Sequence, residues 1–176
     1  LGVEEEDAYD YAAIGCIEVA VPGKWGYRST GKHFLNFMRV FLASINDGTD
    51  VVTDKQFFPG IGRLADVSSF DQVREAGKGQ VQQYARAGVA IDTAIDVLLE
   101  QEAPDLLCSA FVEDCIGRGK TIHEGGAKYD YVSGLQVGIA NLGNSLAAIK
   151  KLVFEEQAIS AEELWKHMEE NYEGAN

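Results

Sequence analysis

The chain has 176 residues, 46% hydrophobic, 24% charged and 10% aromatic, with 19 glycines and 3 prolines. This is the usage of a globular protein and excludes collagen-like, low-complexity and disordered classes. Fifteen basic against 28 acidic residues give a net charge of −13, a field that repels phosphate backbones, so no nucleic-acid partner is expected.

Residues 1–10 carry five acids and no base and read as solvated surface; they are unlike a secretory signal. Residues 11–21 are apolar and partly β-branched and stop at Pro22-Gly23, which predicts a short buried strand running into a loop, with Cys16 inside it. Between residues 17 and 40 the only acid is Glu18, against Lys24, Arg28, Lys32 and Arg39, a small positive island. Phe34, Phe37, Met38, Phe41, Leu42 and Ile45 recur at helical spacing and predict a helix closed by Asp47-Gly48. Residues 47–68, with Gly48, Pro59, Gly60 and Gly62, read as an irregular excursion.

Ser69-Phe-Asp-Gln72 is a capping box that opens a helix. Its stripe of Phe70, Val73, Tyr84, Ile91, Ile95 and Leu98 runs as far as Pro104, weakened by Gly77, Gly79 and Gly88. A short helix is expected over 108–117, and strand or loop over 123–138. Asn144 opens a further helix through Leu146, Ile149, Leu152 and Val153. Ser160-Ala-Glu-Glu163 is a second capping box for the last helix, in a segment that is again acidic. No uninterrupted apolar run approaches the roughly 18 residues of a membrane helix. The chain is therefore expected to be cytoplasmic, without a membrane partner.

This order is α/β with helices dominating. Too few strands are visible to close a sheet, and part of a barrel completed by sequence beyond these residues would explain the shortage. The chain begins on Leu1 and ends directly after a helical pattern, so it is read as a fragment. It is one continuous piece, 1–176, without repeat, linker or internal boundary.

Gly15-Cys16-Ile17-Glu18 is the most informative tetrapeptide. In an extended segment Cys16 and Glu18 project from one face, so a sulfur and a carboxylate can meet one substrate. Gly15 leaves room for close approach. The alternative is a small buried cysteine beside a surface glutamate. A carboxylate two residues away disfavours thiolate, but not a neutral sulfur that exchanges a hydrogen atom while the carboxylate accepts a proton.

Gly26-Tyr-Arg-Ser-Thr-Gly-Lys32 fits the start of a phosphate loop, yet His33 lacks the hydroxyl that would hold Mg²⁺, and no apolar strand precedes the glycine. Lys24, Arg28 and Lys32 are suited to hold a carboxylate or phosphate on a substrate, with solvated surface as the alternative. The histidines at 33, 123 and 167 form no ligand pattern, and no metal is expected. The three cysteines make no disulfide framework, and Cys108 and Cys115, seven apart, read as buried packing. Tyr131 and Gln136 are candidates to line the pocket opposite the cysteine loop, with core packing as the alternative.

Four stretches together resemble the glycyl radical enzymes, the pyruvate formate-lyase family. They are Asp10-Tyr-Ala-Ala-Ile-Gly-Cys-Ile-Glu18 with Val21-Pro-Gly-Lys-Trp-Gly-Tyr27; Asp114-Cys-Ile-Gly-Arg-Gly-Lys120 with Gly125-Gly-Ala127; Val137-Gly-Ile-Ala-Asn141; and Asn144-Ser-Leu-Ala-Ala-Ile-Lys-Lys-Leu-Val153. They follow one another in family order along most of the chain.

The resemblance implies a ten-stranded α/β barrel, of which this chain would be an internal, helix-rich portion. It implies a glycyl radical installed by a separate radical-SAM activating enzyme, a thiyl on Cys16 that takes a hydrogen atom from a small-molecule substrate, and a proton-handling role for Glu18. A homodimer is expected at full length. The resemblance also sets limits on chemistry: formate-lyases proper carry two adjacent cysteines, whereas Ile17 follows Cys16 here. A dehydratase acting on a small hydroxylated substrate is therefore expected, ahead of formate acetyltransferase-like C–C cleavage or a phosphate-loop binding module. Lys32-His33 stands where some dehydratases have an aromatic residue. The radical-bearing glycine motif is absent, so the radical would reside outside this chain, which would be inactive by itself.

Overall fold

The computed structural model describes residues 2–15, 18–25, 33–131 and 134–174. The chain divides into two compact units, each assembled from two stretches: 1–34 with 88–135, and 35–87 with 136–176.

In the first unit the acidic N-terminus folds as α1 (Glu5–Ala8), whose first turn carries Glu5, Glu6 and Asp7, where the helix dipole favours negative charge. β1 (Ala12–Ile14) and β2 (Glu18–Ala20) follow as an antiparallel hairpin with Ile14 opposite Glu18 and Ala12 opposite Ala20. The single buried strand expected over 11–21 is thus two strands. Gly15 is the reason: at φ +59° it takes the left-handed conformation that turns the chain out of β1. Burial is also the reverse of what hydropathy suggests, with Val19 52% exposed and Glu18 buried.

Farther along, α4 (Leu106–Ala110) is capped by Asp105, whose carboxylate accepts from the Cys108 N–H at 2.9 Å. α5 (Cys115–Arg118) ends at Gly119. The single helix expected over 108–117 is split because Asp114 adopts φ +75°. Cys115, Ile122 and Ala127 form a buried cluster against which Cys108 and Val112 pack. The Ser109 hydroxyl donates to the Asp105 carbonyl and accepts from the Ile122 N–H, tying α4 to this cluster.

The second unit begins at Leu35 within β3 (Phe34–Asn36), which pairs with β6 (Leu135–Val137), and continues into α2 (Phe37–Ser44). The helix expected from Phe34 starts three residues later because the Asn36 side chain accepts from the Arg39 N–H at 3.1 Å. The excursion after α2 holds a two-residue hairpin, β4 (Thr49–Asp50) with β5 (Lys55–Gln56). A 3₁₀ turn (Leu64–Asp66) follows. Its buried anchor is Asp50, which accepts from Arg39 Nε and Nη2, each at 2.6 Å, and from the Thr53 N–H at 3.0 Å.

α3 (Phe70–Glu102) is one unbroken helix despite its glycines. Its residues 70–87 belong to the second unit and 88–102 to the first. α6 (Ile139–Ile149) starts five residues before the expected Asn144, directly after Gly138 at φ +82°, and runs on as a π-helical segment (Lys150–Glu155). α7 (Ala161–Glu169) opens on the predicted capping box: Ser160 Oγ accepts from the Glu163 N–H, and the Glu163 carboxylate accepts from the Ser160 N–H. Phe41, Ile45, Leu64, Val73 and Ile149 form the core of this unit, covered by Leu146, Phe154, Leu164 and Trp165 among others.

Candidate active site

Glu18 is the first residue of β2 and is only 8% exposed. Its carboxylate lies over Gly15, so close that a Cβ there would stand 2.3 Å from Oε2 and 2.8 Å from the carboxyl carbon. Glycine at 15 therefore serves both the turn and the side chain packed on it. A buried carboxylate two residues after Cys16 in the sequence is suited to take or return a proton where water has little access. Cys16, Arg28 and Lys32 lie outside the described residues, as does the whole phosphate-loop-like pattern from Gly26 to Lys32.

The hairpin is flanked by an ionic cluster centred on Asp7, which is 4% exposed. Its carboxylate accepts from Lys24 Nζ, from Lys128 Nζ at 2.8 Å and from the Tyr129 hydroxyl at 2.6 Å. Lys128 also reaches Glu4 at 2.9 Å, and the Glu4 N–H donates to the Tyr129 oxygen at 3.1 Å. Lys128, then Lys24 and Tyr129, hold the Asp7 carboxyl far below the usual carboxylate range. Asp7 in turn raises both lysines, while burial, and after it Asp7, pushes the Tyr129 phenol up.

Two expectations are corrected here. The N-terminal acids are not all solvated surface, because Asp7 is buried among three donors. Lys24, grouped by sequence with Arg28 and Lys32 as a holder of substrate anions, is instead paired with Asp7, with Glu113 3.9 Å away.

Tyr131 is half-buried; its ring meets Trp25 edge-on at 5.0 Å and stacks on Tyr129 at 6.3 Å, and its carbonyl accepts from Trp25 Nε1 at 3.2 Å. Gln136, on β6, is exposed and belongs to the second unit. His33 and Asp92 were not singled out as site residues by sequence, and the structure joins them, Nδ1 to Oδ2, at 2.8 Å. Nor did sequence reasoning find Asp7, one of five acids in ten residues. The usable signal was on its partners, lysines set among glycines and aromatics in Pro22-Gly-Lys-Trp25 and Lys128-Tyr129.

The whole chain, residues 1–176, matches the family described as pyruvate formate lyase-like. The chain belongs to that family. It is 53% identical over 176 residues to the probable dehydratase YbiW of Escherichia coli, a match that covers 99% of this chain and 22% of that protein. Among solved structures, the hydroxyproline dehydratase of Clostridioides difficile superimposes with a TM-score of 0.91 at 30% identity, covering 99% of this chain and 22% of that one. The glycerol dehydratase of Clostridium butyricum does so with a TM-score of 0.87 at 36% identity, covering 96% and 21%. The chain thus spans about one fifth of the length of the relatives it matches. Its helix-rich α/β fold is that of a segment of the glycyl radical enzyme barrel. Among the described residues, no helix is long and apolar enough to cross a membrane.

Proposed function

We propose that this chain is a continuous part of the catalytic domain of a glycyl radical lyase of the dehydratase type. The observation that carries the reading is the buried Glu18 carboxylate, folded onto Gly15, the residue before Cys16, in a chain whose relatives are named as dehydratases. A radical-SAM activating enzyme installs the radical on a glycine outside these residues, and that radical is passed to Cys16. The thiyl takes a hydrogen atom from a carbon bearing a hydroxyl or an amine, and Glu18 accepts that group's proton. The C–O bond on the neighbouring carbon then breaks, the leaving hydroxide takes that proton from Glu18 and becomes water, and Cys16 returns its hydrogen atom to the product radical. Arg28 and Lys32 bind an anionic group on the small hydroxylated substrate, while Tyr131 and Gln136 line its pocket. The enzyme works in the cytoplasm as a homodimer.

The test is the Cys16→Ser variant of the full-length enzyme, activated anaerobically. Glycerol, 1,2-propanediol and trans-4-hydroxy-L-proline form the substrate panel. The glycyl doublet in electron paramagnetic resonance is expected to persist while turnover disappears. Full activity in Cys16→Ser refutes the assignment.

A further inference from the structure

The Asp7 cluster has a geometry that a surface ion pair lacks. Asp7 lies five residues before β1, and Lys24 four residues after β2, so their bond ties together the two ends of the hairpin that carries Glu18. The remaining two donors to Asp7 come from a distant stretch, Lys128 and Tyr129. Backbone bonds close the same junction: the Tyr129 N–H donates to the Lys24 carbonyl at 2.9 Å, the Glu113 N–H to the Gly23 carbonyl at 2.6 Å, and the Lys128 N–H to the Glu113 carbonyl at 3.2 Å.

A hairpin of two three-residue strands is too short to hold its own register in water. Among the described residues its two strands pair only with each other. Something outside the hairpin must therefore fix where Glu18 stands, and a carboxylate with three charge-assisted or phenolic donors is the strongest polar tie at its base.

We propose that Asp7 is a positioning residue: by binding Lys24, Lys128 and Tyr129 it clamps both ends of the β1–β2 hairpin onto the 113–131 stretch and so sets the placement of Glu18. This rests on the reading of Glu18 as the proton acceptor. An ion pair elsewhere, Arg39–Asp50, gives the comparison, since it anchors a loop of the other unit.

The experiment uses the full-length enzyme as Asp7→Asn, Lys24→Gln and Asp50→Asn variants. Hydrogen–deuterium exchange of the peptide covering residues 12–20 is measured, together with turnover of the panel substrates per glycyl spin. Asp7→Asn is expected to speed exchange in 12–20 at least tenfold and to lower kcat per spin at least tenfold, with KM changing less. Lys24→Gln is expected to reproduce part of both effects, and to carry the test if Asp7→Asn does not accumulate. Asp50→Asn is expected to lower thermal stability while leaving both quantities unchanged. Unchanged exchange in 12–20 in Asp7→Asn, or in Lys24→Gln if it stands in, overturns the proposal, as does an equal loss of turnover per spin in Asp50→Asn. If Cys16→Ser remains active, the functional reading fails, while the exchange result still decides whether Asp7 holds the hairpin.

Discussion

Asp92, on α3 beside the predicted apolar stripe of Ile91, Ile95 and Leu98, holds the imidazole of His33, with Nδ1 2.8 Å from Oδ2. Asp92 is 8% exposed, whereas its apolar neighbours Ile91 and Leu98 are 51% and 57% exposed. The ring is received by two glycines, since a Cβ at either Gly88 or Gly134 would stand 2.6 Å from its Nε2. A glycine that looked like a weakness in the helix is thus a seat for a side chain.

That seat gives a stability prediction. Gly88→Ala forces the imidazole or the helix to move and should destabilise the protein by about 1–3 kcal/mol, the usual range for overpacking. Gly79→Ala, in the same helix with nothing within 4 Å of the added methyl, should instead stabilise it by roughly 0.5–1 kcal/mol. Urea denaturation of the two variants side by side measures the contrast; a destabilising Gly79→Ala or a neutral Gly88→Ala contradicts it.

Gly15 should be as intolerant, with a different readout. Gly15→Ala puts a methyl into the Glu18 carboxylate at a left-handed backbone position, so the carboxylate must leave its place. Turnover is expected to drop at least tenfold with glycyl spin yield retained. Glu18→Gln should likewise keep the radical and stop elimination, because the amide cannot accept the proton.

The Arg39–Asp50 pair predicts an acid limb. Arg39, then the Thr53 hydrogen bonds, hold the Asp50 carboxyl far below the usual carboxylate range. Because its folded value is depressed, its stabilisation is complete above the unfolded value of about pH 4 and is lost as pH falls through the folded value. Asp50→Asn should cost about 2 kcal/mol at pH 7, less than a sealed pair because the Arg39 side chain is 45% exposed. The deficit should shrink below pH 4. Melting temperatures from pH 2 to 8 show whether it does.

Burial pushes the thiols of Cys108 and Cys115 up, so both remain protonated at neutral pH. Cys115, 2% exposed, should react with iodoacetamide at pH 8 about a hundredfold more slowly in the native protein than after unfolding. Peptide mass spectrometry over time follows the reaction, and rapid native labelling of Cys115 would contradict the packing seen around it.

Local rules carried much of the sequence reading. The Ser160 capping box, the α2 periodicity from Phe37 to Ile45 and the turn at Pro22-Gly23 are short-range features, set by side chains within a few residues of the backbone groups they satisfy. Gly15 stood out in the sequence for the same reason, although not that two strands flank it. The family followed from motif order, which needs no coordinates. Only the tertiary structure decided which of the charged residues are buried. Asp7 and Glu5 look alike in sequence, yet Asp7 is buried and Glu5 exposed. Whether a carboxylate meets a lysine and a tyrosine more than 100 residues away depends on how distant segments pack, and desolvation then fixes its charge, its bonds and the cost of losing it.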